Sequence, residues 1–123
     1  MDLYQENILD HYKNPRNYGD LKNVSKSVKE SNPLCGDEIK MDFLLENGIV
    51  KDVKFSGNGC AISQASASML TDEIKGKKVV EVLKMGKEDV LDLLGIDLSP
   101  ARLKCALLSL YAVKRGVGGE RNS

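Results

Sequence analysis

The chain has 123 residues, with 18 basic and 18 acidic side chains for a formal net charge of zero, 5% aromatic residues and no Trp. That length suits one compact domain with a real core. The balanced charge offers no bulk attraction to nucleic acid or to a membrane surface, and the scarcity of aromatics argues against a base-stacking platform. No apolar run approaches the ~20 residues needed to span a bilayer. The acidic, polar start Met1-Asp2-Leu3-Tyr4-Gln5-Glu6-Asn7 is unlike a signal or transit peptide. A cytoplasmic protein is the expectation.

Tyr4, Ile8 and Tyr12, with Leu3 and Leu9, recur at helical spacing, and Pro15 ends that helix. A turn follows at residues 16–20, then a weak strand over residues 24–28. Ile39, Met41, Phe43 and Leu45 alternate with polar residues, the period of a half-buried strand. Asn47-Gly48 supplies the positive φ angles of a tight hairpin, and Ile49, Val53 and Phe55 continue on the return strand. After Cys60 the small residues Ala61, Ser63, Ala65, Ser66, Ala67 and Ser68 predict a helix able to approach the sheet closely. Val79, Val82 and Leu83 predict a short helix, and Val90, Leu91 and Leu94 another, ended by Gly95. Pro100 opens the last helix, where its missing donor costs nothing. Leu103, Ala106, Leu107, Leu110 and Val113 mark that helix's buried stripe, and residues 116–123 read as a flexible tail. Strands followed by helices predict an α+β fold, a small antiparallel three-stranded sheet with helices packed on one face, as a single domain over residues 1–123.

On this map the three cysteines fall in a loop before the hairpin (Cys35), at a helix start just after it (Cys60) and on the last helix (Cys105). An odd count rules out complete intramolecular disulfide pairing, and clustered thiols point instead to metal or sulfur chemistry. Three soft thiolates with the Asp37 carboxylate make a nearly complete shell for zinc or iron. Cys60 has the best local chemistry, since helix-terminal N–H groups stabilise a thiolate while Gly57 and Gly59 leave its sulfur uncrowded. Cys60 and Cys105 each have a plainer reading as a small buried residue, whereas Cys35, a loop thiol between Pro33-Leu34 and Gly36-Asp37, has little packing reason to be cysteine. None of the spacings is a paired CxxC signature, so a shared site depends on the fold. His11, the one histidine, reads as a structural or surface residue of the first helix and not as a ligand. Ser66 and Ser68 have no base near them in sequence, and Gly57-Asn58-Gly59 lacks the lysine and serine of a phosphate loop.

Taken together, His11-Tyr12 with Asn14-Pro15-Arg16-Asn17 and Gly19, Asn32-Pro33-Leu34-Cys35-Gly36-Asp37, Gly57-Asn58-Gly59-Cys60-Ala61-Ile62-Ser63, Ala65-Ser66-Ala67-Ser68-Met69 and Lys104-Cys105-Ala106-Leu107-Leu108 resemble the IscU/SufU (NifU N-terminal) family of iron–sulfur cluster scaffolds across nearly the whole chain. The resemblance implies that Cys35, Asp37, Cys60 and Cys105 hold an iron–sulfur cluster, of the 2Fe-2S type, or a zinc surrogate. It also implies that Cys105 receives persulfide sulfur from a cysteine desulfurase, and that the cluster passes to apo iron–sulfur acceptor proteins. A hard carboxylate among soft thiolates is a weak, exchangeable ligand, which suits a carrier that must release its cargo. The implied role is that of a scaffold or carrier, not of an enzyme in the turnover sense. The apo form is expected to be monomeric, with cluster-dependent association where Asp37 does not ligate.

Two positions depart from the IscU pattern. Lys104 stands where IscU members have a histidine, as in SufU-like members, and protonated lysine is a poor ligand. Leu98-Ser99-Pro100-Ala101-Arg102 replaces the Leu-Pro-Pro-Val-Lys segment read by a dedicated Hsp70 chaperone, which argues against that partner. The stretch between Cys60 and Cys105 lacks the extra residues of the SufU branch. The alternative function is therefore a zinc-dependent sulfur acceptor that activates a desulfurase, and a small structural zinc domain is a third reading. A carboxylate ligand fits the last poorly, because closed structural zinc sites favour Cys and His.

Overall fold

The computed structural model describes residues 3–33 and 36–118. Eight elements follow in order: α1 (Leu3–Lys13), β1 (Lys26–Asn32), β2 (Asp37–Glu46), β3 (Ile49–Asn58), α2 (Ala61–Ile74), α3 (Val79–Leu83), α4 (Lys87–Leu94) and α5 (Pro100–Gly118). The three strands form an antiparallel sheet in the order β1-β2-β3. Asn47 and Gly48 turn the β2–β3 hairpin with φ of 55° and 73°, the paired left-handed geometry of a tight two-residue connection.

Alternation decides which face is covered. Ile39, Met41 and Phe43 of β2, with Val53 and Phe55 of β3, are fully buried; α5 lies against β1 and β2 while α2 lies against β3. Small residues let these helices close on the sheet. At Gly116 an added Cβ would overlap the Phe43 ring, so α5 and β2 meet nearly backbone to ring. On α2, Ala65, Ala67, Ser63, Ser66 and Ser68 are all buried, and Leu70 and Ile74 complete its core face.

The opposite face of the sheet is polar and is strapped by the segment between α1 and β1. Residues 17–19 pair with β3 through the Phe55 N–H to Asn17 O (2.9 Å) and the Gly19 N–H to Phe55 O (2.8 Å), covering part of what would be a bare strand edge. Asp42 holds the strap. It accepts from the Ser27 hydroxyl at 2.6 Å and from the Leu21 N–H at 3.2 Å, with Lys40 Nζ at 3.4 Å. Burial alone would raise the Asp42 carboxyl, but Ser27, the Leu21 N–H and Lys40 outweigh it and hold it below its ordinary range.

Three details differ from the sequence reading. The first strand runs over Lys26–Asn32, later than residues 24–28, because its register is fixed by pairing with β2. The helix over Tyr4, Ile8 and Tyr12 is present, but of that set α1 buries Ile8 alone, together with His11, while Leu3, Tyr4 and Tyr12 are exposed. Residues 116–118, expected in the flexible tail, form the last turn of α5, with Gly116 and Val117 buried. The rest of that tail, residues 119–123, lies outside the described residues.

Candidate metal centre

Asp37 is the first residue of β2, and the two-residue period places it on the same face as Ile39, Met41 and Phe43. Its carboxylate therefore ends the apolar row beneath the helices and is itself buried, 3% exposed. β3 closes at Asn58 opposite Glu38, and Cys60 follows as the N-cap of α2 with extended backbone, φ −73° and ψ 169°. Cys60 makes no side-chain cap. Asp37, on the neighbouring strand β2, takes the Cys60 N–H itself on Oδ1 at 3.2 Å while the Cys60 thiol faces Oδ2 at 3.5 Å. One carboxylate thus satisfies an orphan donor of the helix start and stands beside the sulfur.

This approach depends on Gly59. A Cβ there would lie 2.9 Å from both Cγ and Oδ1 of Asp37 and would overlap the Ser63 hydroxyl. Ser63, which the sequence reading did not single out as a site neighbour, donates to the Cys60 carbonyl at 3.2 Å, and the Gln64 N–H reaches the same carbonyl at 3.1 Å. The first turn of α2 is thereby fixed under the thiol. Its sequence signal was the small polar residue three positions after Cys60, indistinguishable in sequence from the other serines of α2.

Cys105 lies in the second turn of α5 and is 4% exposed. Its sulfur, the Cys60 sulfur and a carboxylate oxygen of Asp37 all lie within 4.8 Å of one another. A tetrahedral zinc ion with ~2.3 Å bonds needs ligand atoms roughly 3.8 Å apart, so small side-chain rotations suffice to close this triangle on an ion. Two thiolates and a carboxylate are a donor set that suits zinc or iron. Cys35 lies outside the described residues, two positions before Asp37 in sequence.

Two neighbours of the motifs stay apart from the triangle. Lys104 is exposed, as expected for a residue ~100° around the helix from buried Cys105. His11 is buried between α1 and α2, its Nδ1 2.7 Å from the Ser68 hydroxyl, which also accepts the Arg16 N–H at 2.8 Å. Ser68 stands eight residues beyond Cys60, about 12 Å along α2, so His11 serves the helix packing. Burial, and then the nearby Arg16 charge, push the His11 imidazole below its ordinary range against the opposing pull of Asp10 and Asp72.

Residues 3–120 match the model of the NifU-like N terminal domain. The chain belongs to that family. Among relatives of the NifU-like domain, the zinc-dependent sulfurtransferase SufU of Bacillus subtilis is 47% identical, covering 96% of this chain and 91% of its own. The iron-sulfur cluster assembly scaffold protein IscU of Buchnera aphidicola is 33% identical, covering 97% and 96%. A crystal structure titled as a putative iron-sulfur cluster assembly scaffold protein for the SUF system of Fervidobacterium islandicum superposes with a TM-score of 0.81 at 30% identity, covering 91% of this chain and 94% of that one. The alignment with the Bacillus relative spans 135 positions, more than this chain's 123 residues; the relative carries residues that this NifU-like domain lacks. Among the described residues, no helix is long and apolar enough to cross a membrane.

Proposed function

We propose that this chain is a scaffold on which iron–sulfur clusters are assembled, with sulfur delivered by a cysteine desulfurase and the finished cluster passed to apo iron–sulfur proteins. The observation that carries this reading is the meeting of Asp37, Cys60 and Cys105, brought from three separate elements to within 4.8 Å. Cys35, Asp37, Cys60 and Cys105 are the ligands in this proposal, and Cys105 accepts the incoming sulfur. The chain acts as one domain over residues 1–123, in the reducing cytoplasm where such thiols persist. Its apo form is monomeric, and association follows cluster loading where Asp37 lets go.

The cargo must leave, and Asp37 gives a physical route. Its Oδ1 is held by the Cys60 N–H, so a carboxylate already engaged by the backbone is a weaker iron ligand than the thiolates around it. Release starts at the carboxylate and ends at the sulfurs. Lys104, exposed and cationic, offers no competing lone pair.

A second reading is favoured by the name of the Bacillus relative, a zinc-dependent sulfurtransferase, and by Lys104. Here the same residues hold zinc, and Cys105 relays persulfide from a desulfurase. Anaerobic reconstitution with iron, a cysteine desulfurase and cysteine separates the two. A coloured cluster that transfers to apo-ferredoxin is expected for a scaffold. Stimulation of desulfurase turnover by the zinc-loaded protein, with no cluster transfer, would establish the relay and overturn the scaffold.

A further inference from the structure

We infer that the site carries a redox switch: a peroxide joins Cys60 and Cys105 in a disulfide, which withdraws both thiols from metal binding. The inference rests on the metal-centre reading and adds its regulation. Cys60 and Cys105 are not disulfide-bonded, and their sulfurs are already within 4.8 Å. A disulfide needs ~2.05 Å, so the two sulfurs must close by about 3 Å at most, within reach of side-chain rotation and a small shift of the α2 start.

Exposure orders the steps. Cys60 is half-buried while Cys105 is 4% exposed, so a small oxidant meets Cys60 first, at the N–H-rich start of α2. The Cys60 sulfur attacks hydrogen peroxide, an S–O bond forms as the O–O bond breaks, and the leaving hydroxide takes the Cys60 thiol proton to become the first water; Cys60 is now a sulfenic acid. The Cys105 sulfur attacks the Cys60 sulfur. The S–S bond forms, the S–O bond breaks, and the departing hydroxide takes up the thiol proton as water. Two thiols and one peroxide thus become one disulfide and two waters. The adjacent resolving thiol stops Cys60 from climbing to the irreversible sulfinic acid. Thiol reductants reopen the site by exchange.

The link ties the start of α2 to the second turn of α5, beside Asp37 at the first position of β2. With both sulfurs spent, Asp37 and Cys35 are too few ligands for zinc or iron. A carrier that meets peroxide in this way stops accepting metal without losing its fold.

The test treats reduced, metal-free protein with stoichiometric hydrogen peroxide. Peptides are then mapped by mass spectrometry without reduction, in the wild type, Cys35→Ser and Cys60→Ser. Zinc binding is measured by chelator competition before oxidation, after it, and after dithiothreitol. Linkage of Cys60 to Cys105 is expected in the wild type and in Cys35→Ser and absent in Cys60→Ser, with wild-type zinc binding lost on oxidation and regained on reduction. Zinc loaded beforehand should slow the linkage at least about tenfold, because a ligated thiolate is a poorer nucleophile. A main product that includes Cys35, or sulfinic acid at Cys60 without a link, overturns the switch while leaving the metal centre standing. Reduced wild-type protein that fails to bind zinc overturns the metal centre, and the regulatory meaning of the link falls with it.

Discussion

Gly59 and Gly116 both stand where a methyl group has no room, yet different things occupy the space. At Gly116, toward the hairpin end of the sheet, the neighbour is the fully buried Phe43 ring. At Gly59, toward the other end, it is the Asp37 carboxyl and the Ser63 hydroxyl. The first glycine admits packing and the second admits chemistry. The packed end owes its order to apolar volume. The site end owes its order to directed bonds, the Cys60 N–H to Asp37 and the Ser63 hydroxyl to the Cys60 carbonyl. Volume and ligation should therefore respond separately to substitution.

The largest expected effect is at the packed end. Phe43→Ala should cost about 3–5 kcal/mol in urea unfolding, since the lost ring leaves a cavity beneath α5, while zinc affinity of the folded fraction stays within about twofold because no ligand moves. A parallel loss of zinc affinity would erase the distinction between the two ends. Gly116→Ala sets a helix-propensity gain of up to about 1 kcal/mol against an overpacking cost of about 1–3 kcal/mol. A net loss is expected, read as a lower denaturation midpoint at unchanged slope. A more stable variant would show that the Phe43 ring turns aside freely.

At the site end the stability effects shrink and the ligand effects grow. Asp37→Ala removes the acceptor that caps α2, which should cost about 1 kcal/mol. It should also slow cluster transfer and favour a retained two-iron two-sulfur species, followed by transfer kinetics to an apo-ferredoxin. Faster release than the wild type would contradict a labile carboxylate. Gly59→Ala should copy the kinetic behaviour of Asp37→Ala at a smaller stability cost, because the side chains it displaces are movable ends and not backbone. Normal transfer in that variant would mean that Asp37 reaches the cluster without the close approach.

The smallest effect is one of pH. The His11 imidazole is depressed in the folded chain by burial and by Arg16. The unfolded chain therefore binds its proton more readily, and stability present above pH ~6.5 declines as pH falls through the lower folded value. Thermal melts between pH 7 and 5 should show this decline in the wild type and a flatter profile in His11→Gln.

The periodicities needed no tertiary context. Alternation from Ile39 to Leu45, the Asn47-Gly48 turn, and the small residues after Cys60 carry the hairpin, α2 and the packing of helices on one face, because local geometry fixes side-chain direction. The motif residues likewise carried the family, and with it the expectation that Asp37, Cys60 and Cys105 meet. Distances were beyond the sequence. Cys60 and Cys105 are 45 positions apart, and only the seating of α2 and α5 on the same sheet brings their sulfurs within 4.8 Å. The burial of Gly116 and Val117 was equally hidden: a run of glycines reads as a tail until the Phe43 ring is seen to need the space. Asp37 shows the division most clearly. Sequence named it as a ligand, but that the same carboxylate also caps α2 follows from a strand and a helix ending side by side, a relation that no local pattern encodes.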